Sequence, residues 1–261
     1  MNEIHEGNRA CWNDWAKWWA ERRDKKGVWR KCHRDPTLVL SPTEMGFLSD
    51  VRGRDVCVLA SGDNEVVFAL AGMGARVTSV DISERQLEKA EERADTLGLS
   101  ISFVRADVTD LSVLRDNSFD ATHTGGGVAV WISDIQKYHA EGVRILKPGG
   151  LLIVNEFHPI GAMFSDEEPM GRLQDYSNRG PFTYTSNEGF PGTEYHWTVA
   201  DHIQAVLDAG CFLLKVEEHD GTTADRIQDA LDKQEKHADV QAEADAPRVP
   251  RYLLIVGRKR Q

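Results

Sequence analysis

Two pieces of this chain could do chemistry together. Ser61-Gly62-Asp63-Asn64 is a tight polar turn carrying a glycine, and Asp81 is the carboxylate on which the next apolar run stops. A turn of that kind can bring backbone N–H groups up to a ligand, and an acid at a strand end accepts hydrogen bonds from ribose hydroxyls. The chemistry this implies is a grip on a nucleoside. Asp107, with Val108 beside it, is a further acid after an apolar run, and Gly125-Gly126-Gly127 offers bare backbone for close approach. Near neutral pH histidine is the natural proton carrier. His158 follows the apolar run Leu151–Val154, His123 lies inside another such run and reads as a core residue, and His196 stands beside Trp197, lining a pocket or simply exposed.

These groups need a scaffold, and the apolar pattern supplies it. Val56, Val58 and Leu59 suit a strand buried on both faces, and Val66, Val67, Phe68, Leu70 and Ala71 suit a helix closed by Gly72 and Gly74. Ala75–Val80 then reads as a second strand. Ser83 and Gln86 form a capping-box pair ahead of Leu87, Ala90, Ala94 and Leu97, one helical face closed by Gly98. Ile101–Arg105 and Phe119–Thr124 are the third and fourth strands, and Leu151–Val154 belongs to a fifth. Between the last two, Ser133 and Gln136 cap a helix with Ile135, Tyr138, Val143 and Leu146 inward, stopped by Pro148. Ile203, Val206 and Leu207 suit a helix, Cys211–Val216 a sixth strand, and Arg251–Lys259 a closing strand. Strands alternating with helices predict an α/β fold with a mostly parallel sheet covered on both faces.

The unit from Asp55 to Ser83 resembles motif I of the class I S-adenosylmethionine-dependent methyltransferases, and ILKPGGLLIV at 145–154 resembles the helix-to-fifth-strand junction of the same superfamily. The dinucleotide pattern G-x-G-x-x-G is absent, so the turn is a poor cradle for a pyrophosphate. Two positions depart from the motif: Ala60 stands where an acid is common, and Asn64 where a second glycine is. Asn tolerates φ > 0 better than other non-glycine residues, so the turn is expected to survive, with Asp63 supplying the missing carboxylate. The resemblance implies a Rossmann-like seven-stranded sheet with an antiparallel last strand and an N-terminal helical cap over residues 1–50. The methyltransferase domain would be 51–261, with insertions at 157–197 and 221–249. It implies S-adenosyl-L-methionine as cofactor, held by Ser61, Gly62, Asp63, Asn64, Asp81, Ile82, Gln86, Asp107, Val108, Thr124 and Gly125. Asp81 would take the ribose and Asp107 the adenine amino group. It also implies a small-molecule methyl acceptor, bound by Trp131, His158, Tyr195 and Trp197, with His158 as the candidate general base facing the cleft.

Residues 8–23 read as a helix with Trp12, Trp15 and Trp19 on one face, packing on the domain; the resemblance implies that this helix also serves as a lid, putting Trp15 and Trp19 on the cofactor. The aromatic-rich insertion after the fifth strand, from Phe164 to Trp197, is where a substrate pocket would form. Residues 221–249 are acidic and polar, with Ile227 and Leu231 the large aliphatics before Val240, and read as a solvated helix. A formal net charge of −11 argues against a nucleic-acid partner or an anionic membrane surface. The polar start of the chain and four scattered cysteines predict a cytoplasmic protein with reduced thiols and no metal site. Two other functions compete: an NAD(P)-dependent oxidoreductase, which the glycine spacing disfavours, and a non-catalytic interaction subunit docking through 221–249.

Overall fold

The structure is a computed structural model that describes residues 2–163, 175–186, 188–236 and 249–261. Phe164 and residues 237–248, which figured in the expectations above, lie outside the described residues. Strands β1 (Asp55–Leu59), β2 (Arg76–Asp81), β3 (Ile101–Arg105), β4 (Phe119–Gly125) and β5 (Leu146–Phe157) pair in parallel, in the order β3-β2-β1-β4-β5. A hairpin, β6 (Phe182–Thr185) and β7 (Pro191–Glu194), stands outside this sheet. β8 (Cys211–His219) and β9 (Tyr252–Lys259) complete it, β9 inserting antiparallel between β5 and β8 to give seven strands. Strand order reverses between β1 and β4, which opens a crevice at the carboxyl ends of the strands.

Side chains of β1 alternate between two cores, as a strand's period requires. Val56 and Val58 join the layer of α3 (Glu65–Gly72) and α4 (Glu84–Leu97), while Cys57 and Leu59 join that of α5 (Ile135–Arg144) and α6 (Val199–Asp208). Val28, Trp29, Cys32, Leu40 and Leu48, from the first fifty residues, enter the first of these cores. The cysteines Cys11, Cys32, Cys57 and Cys211 are all buried free thiols. Among the described residues no helix is long and apolar enough to cross a membrane.

Several local expectations change. Helix α1 runs Glu3–Lys26, longer at both ends than expected, between the Asn2 side-chain cap and a left-handed Gly27 at φ 68°. Its buried side chains are His5, Asn8, Cys11, Ala16 and Ala20, whereas Trp12, Trp15 and Trp19 are half-buried and Trp18 is exposed. Small residues let the helix sit close, and the indoles of Trp12, Trp15 and Trp19 share the inward face, half-covered. α5 already ends at Arg144, so Leu146 and Pro148 belong to β5 instead of closing the helix, and Asp134, not Ser133, caps its start. Within 221–236, α2 (Pro42–Phe47) having been passed near the chain's start, the remaining helix α7 (Thr223–Lys236) is not simply solvated. Ala224 is buried, Ile227 packs on the first core, and Asp232 pairs with Arg22 of α1 at 2.6 Å.

Candidate active site

The turn after β1 and the acid after β2 do hold each other. The Gly62 N–H donates to Asp81 Oδ2 at 2.7 Å, and the Ser83 N–H donates to Asp81 Oδ1 at 2.7 Å. Gly62 adopts φ 47°, and a Cβ there would sit 3.6 Å from Asp81 Oδ2 and 3.5 Å from Gln86 Oε1. The second left-handed residue is Ala60, at φ 44°, not Asn64. Asn64 sits at φ −72° because its side chain caps α3, accepting from the Val66 N–H at 2.9 Å. Its amide also reaches the Gly125 carbonyl at 3.5 Å, tying the β1 turn to the end of β4. Burial pushes the Asp81 carboxyl up to about 6, against the opposing pull of the Ser83, Gly62 and Ile82 amides.

Asp107, just past β3, is tied twice. Its Oδ1 accepts from the Thr109 N–H at 2.9 Å and the Thr109 hydroxyl at 2.8 Å, and its Oδ2 lies 2.7 Å from His5 Nδ1. Burial raises this acid, but the bonds from His5 and Thr109 outweigh it and hold the carboxyl at about 2. His5 Nε2 accepts from the Ser133 N–H at 3.1 Å, which leaves the proton on Nδ1, facing Asp107. Asn8, one turn along α1, donates to the carbonyls of Trp131 at 3.0 Å and Thr193 at 2.9 Å. His5 and Asn8 therefore latch α1 across the mouth of the crevice.

The result is a cleft of about 760 Å³, its open mouth included, at the ends of β1 to β4. Of the expected site residues, Ser61, Gly62, Asp63, Asn64, Asp81, Ile82, Gln86, Asp107, Val108, Gly125 and Trp131 line it together. Thr124 is buried in β4 just behind the wall. Asp63 lines the cleft but is not a spare carboxylate: it forms a buried ion pair with Arg93, with Arg23 at 3.4 Å, so its charge is already used.

Other expectations are corrected. His158 does not face the cleft. Its Nε2 pairs with Glu218 Oε1 at 2.8 Å and its Nδ1 accepts from the Ile160 N–H, so both nitrogens are spent at the β8–β9 side of the sheet. Trp197 packs on the α5–α6 core and donates its N–H to the Ile132 carbonyl at 3.0 Å, with Tyr195 stacked on it at 5.7 Å; neither reaches the cleft. Trp15 and Trp19 stand back from the lining, and Trp12 takes their place. Trp12 and Trp131 meet edge-on at 5.2 Å, and Trp15 and Tyr184 stack at 5.9 Å behind them. His123, the expected core histidine, is buried against Glu44 at 2.8 Å. His5, Asn8 and Trp12 were missed. They lie at i, i+3 and i+7 on the face that also carries Trp15 and Trp19; Asn8 and Trp12 fell inside the expected helix without being read as site residues, and His5 joins them only once the helix starts at Glu3.

A glycine turn, a strand-end acid and a switch-point crevice on this sheet define a nucleoside-binding Rossmann-like enzyme. Comparison narrows the class. Residues 58–154 match the methyltransferase domain family. The uncharacterized methyltransferase YbaJ of Bacillus subtilis is 30% identical over 237 residues, covering 80% of this chain and 88% of that protein. Among solved structures, an S-adenosylmethionine-dependent methyltransferase from Mesorhizobium loti superposes with a TM-score of 0.59 at 22% identity, covering 84% of this chain and 99% of its own. The methyltransferase complexed with the Trm112 activator from Haloferax volcanii gives 0.62 at 19%, covering 96% and 98%. The chain belongs to the S-adenosylmethionine-dependent methyltransferase family, with the class I fold. Its cleft fits that cofactor: the buried Gln86 Nε2 has no hydrogen-bond partner among the described residues, leaving a donor for a bound nucleoside, and Gly62 keeps the backbone bare beside it.

Proposed function

We propose that this methyltransferase acts on a small-molecule acceptor that enters beside Trp12 and Trp131. The observation that carries this reading is the cap: α1, latched by His5 and Asn8, roofs the cleft and leaves a walled pocket, not an open groove for a macromolecule. The net charge of −11 supports it against a polyanionic substrate. In this reading Asp81 accepts from the ribose hydroxyls and Gln86 donates its free N–H. Asp107 and Val108 border the adenine, and Asn64 and Gly125 the amino-acid end. S-adenosylmethionine supplies an already activated methyl group, so the protein's task is alignment and exclusion of water. Trp12, Trp131, Val128 and Ile132 form the apolar wall that does both. Of the described histidines, His5 is the one in the lining, and its pairing with Asp107 and Ser133 suits it to holding the roof more than to taking a proton.

The test is turnover of S-adenosylmethionine to S-adenosylhomocysteine with panels of phenols, amines, thiols and quinols. Product should form with a small acceptor and fall at least about tenfold in Trp131→Ala through a raised acceptor KM. Turnover with protein or nucleic-acid substrates alone would refute the small-acceptor reading.

A further inference from the structure

Glu156 stands where the pattern of β5 calls for an apolar side chain. Leu152 and Val154, on the same face, are fully buried in the α5–α6 core, and Glu156 is only 2% exposed. A carboxylate so placed must be satisfied or neutralised. Glu156 Oε2 accepts from the N–H groups of Gly127 at 3.0 Å and Val128 at 2.9 Å, and Oε1 from that of Ala129 at 3.2 Å. Three successive amides converge on one carboxylate, and they belong to the segment that carries the cleft wall from Gly125 to Trp131. The segment has little other freedom: Gly127 sits at φ 83°, and a Cβ there would lie 2.6 Å from the Phe157 ring.

We propose that Glu156 is a positioning residue for methyl transfer: its carboxylate gathers the amides of 127–129 into the turn that sets Val128 and Trp131 against the cleft, without itself touching either ligand. This rests on the reading of the cleft as the transfer site. Burial pushes the Glu156 carboxyl up to about 7, and what opposes burial is the three amides, not a cation. Protonation would turn one accepting oxygen into a donor facing donors. The side chains about it do not replace that control. From α5 comes Tyr138, whose own ionisation is pushed up by burial and by the Glu156 charge. β4 contributes Thr124, and β9 sets Leu253 opposite. Further buried titratable groups of this helical layer are His139 and His202, which pack on each other at 5.8 Å and are held neutral by burial, and the thiols of Cys57 and Cys211, likewise kept neutral by burial. The wall is therefore gripped above neutral pH and released as pH falls through about 7.

Trp131 reports on the loop directly. The difference in tryptophan emission between wild type and Trp131→Phe should show a transition near pH 7, and in a Glu156→Gln background it should stay at its low-pH form throughout. S-adenosylhomocysteine, titrated by calorimetry, should bind Glu156→Gln about tenfold more weakly than wild type above neutrality, with a smaller deficit in mild acid. Wild-type affinity and wild-type emission in Glu156→Gln would overturn the proposal. Should that variant fail to fold, the wild-type emission titration decides by itself, a flat trace across neutrality refuting it. Failure of wild type to bind S-adenosylhomocysteine would instead strike the reading of the cleft, leaving the emission result to stand or fall alone.

Discussion

Replacing Asp81 by Asn should uncouple stability from binding. The carboxyl of Asp81 is buried and its pKa is raised from 3.8 to about 6, so the folded state holds a proton that the unfolded chain has released across that window. The folded state thus binds more protons, and stability falls as pH rises through this interval. About two pKa units at about 1.4 kcal/mol each means the ionised carboxylate costs the fold about 3 kcal/mol above pH 6. Asn removes that charge, but its single carbonyl oxygen can serve only one of the Gly62 and Ser83 N–H groups. An orphaned buried donor costs about 1–3 kcal/mol. The protonated wild-type carboxyl orphans the same donor, so that loss is already contained in the shift, and at neutral pH Asp81→Asn should be more stable than wild type by up to about 3 kcal/mol. Below about pH 4, where the wild-type carboxyl is neutral and likewise offers a single carbonyl oxygen to the two N–H groups, variant and wild type should be equally stable to within about 1 kcal/mol. Binding should go the other way: loss of charged acceptance from a ribose is worth about 1.5–3 kcal/mol, or roughly 10- to 100-fold in affinity for S-adenosylhomocysteine. Denaturant titrations on either side of the window, paired with calorimetry, read both arms. Equal destabilisation at both pH values would refute the buried-charge argument, and unchanged affinity would take Asp81 out of the nucleoside site.

Arg93→Met should lower stability by about 2–4 kcal/mol, because it leaves the buried Asp63 carboxylate only Arg23, at 3.4 Å, and adding Asp63→Asn should restore much of the loss; denaturant midpoints of the single and double variants check this, and additive losses would deny the pairing. His158→Gln should leave turnover within about twofold of wild type, since its ring is bound to Glu218 away from the cleft, whereas a catalytic base would cost about a hundredfold or more.

Much of the scaffold was legible because parallel strands buried on both faces write themselves as short apolar runs. Ile101–Arg105 ends where expected, and Asp81 closes its strand as expected. The cofactor half of the cleft was legible for a related reason: its residues come from single turns at strand ends, so sequence neighbours become site neighbours. The half of the cleft beneath α1 was legible only at Trp131. Trp131 meets Trp12 across a contact made by the cap, and Tyr184 arrives on a hairpin of two four-residue strands, too short to stand out from the loop around them. His158 misled because a histidine after a strand's end has two possible directions, and the exposed Glu218 carboxylate on β8 drew it outward. Asp63 misled for the converse reason. Nothing in the order of residues tells that Arg93, a helix and a strand further on in α4, will fold back on it.

The hidden cysteines turn the molecule into its own stopwatch. Cys11 lies on the inward face of α1, its thiol 3.5 Å from the Phe190 carbonyl, while Cys57 is sealed inside the central strand β1. A thiol reagent can reach the former whenever the roof lifts and the latter only when the sheet comes apart, and burial further suppresses both thiolates. Two rates of alkylation on one unmodified chain would thus time the opening of the roof against the life of the whole fold.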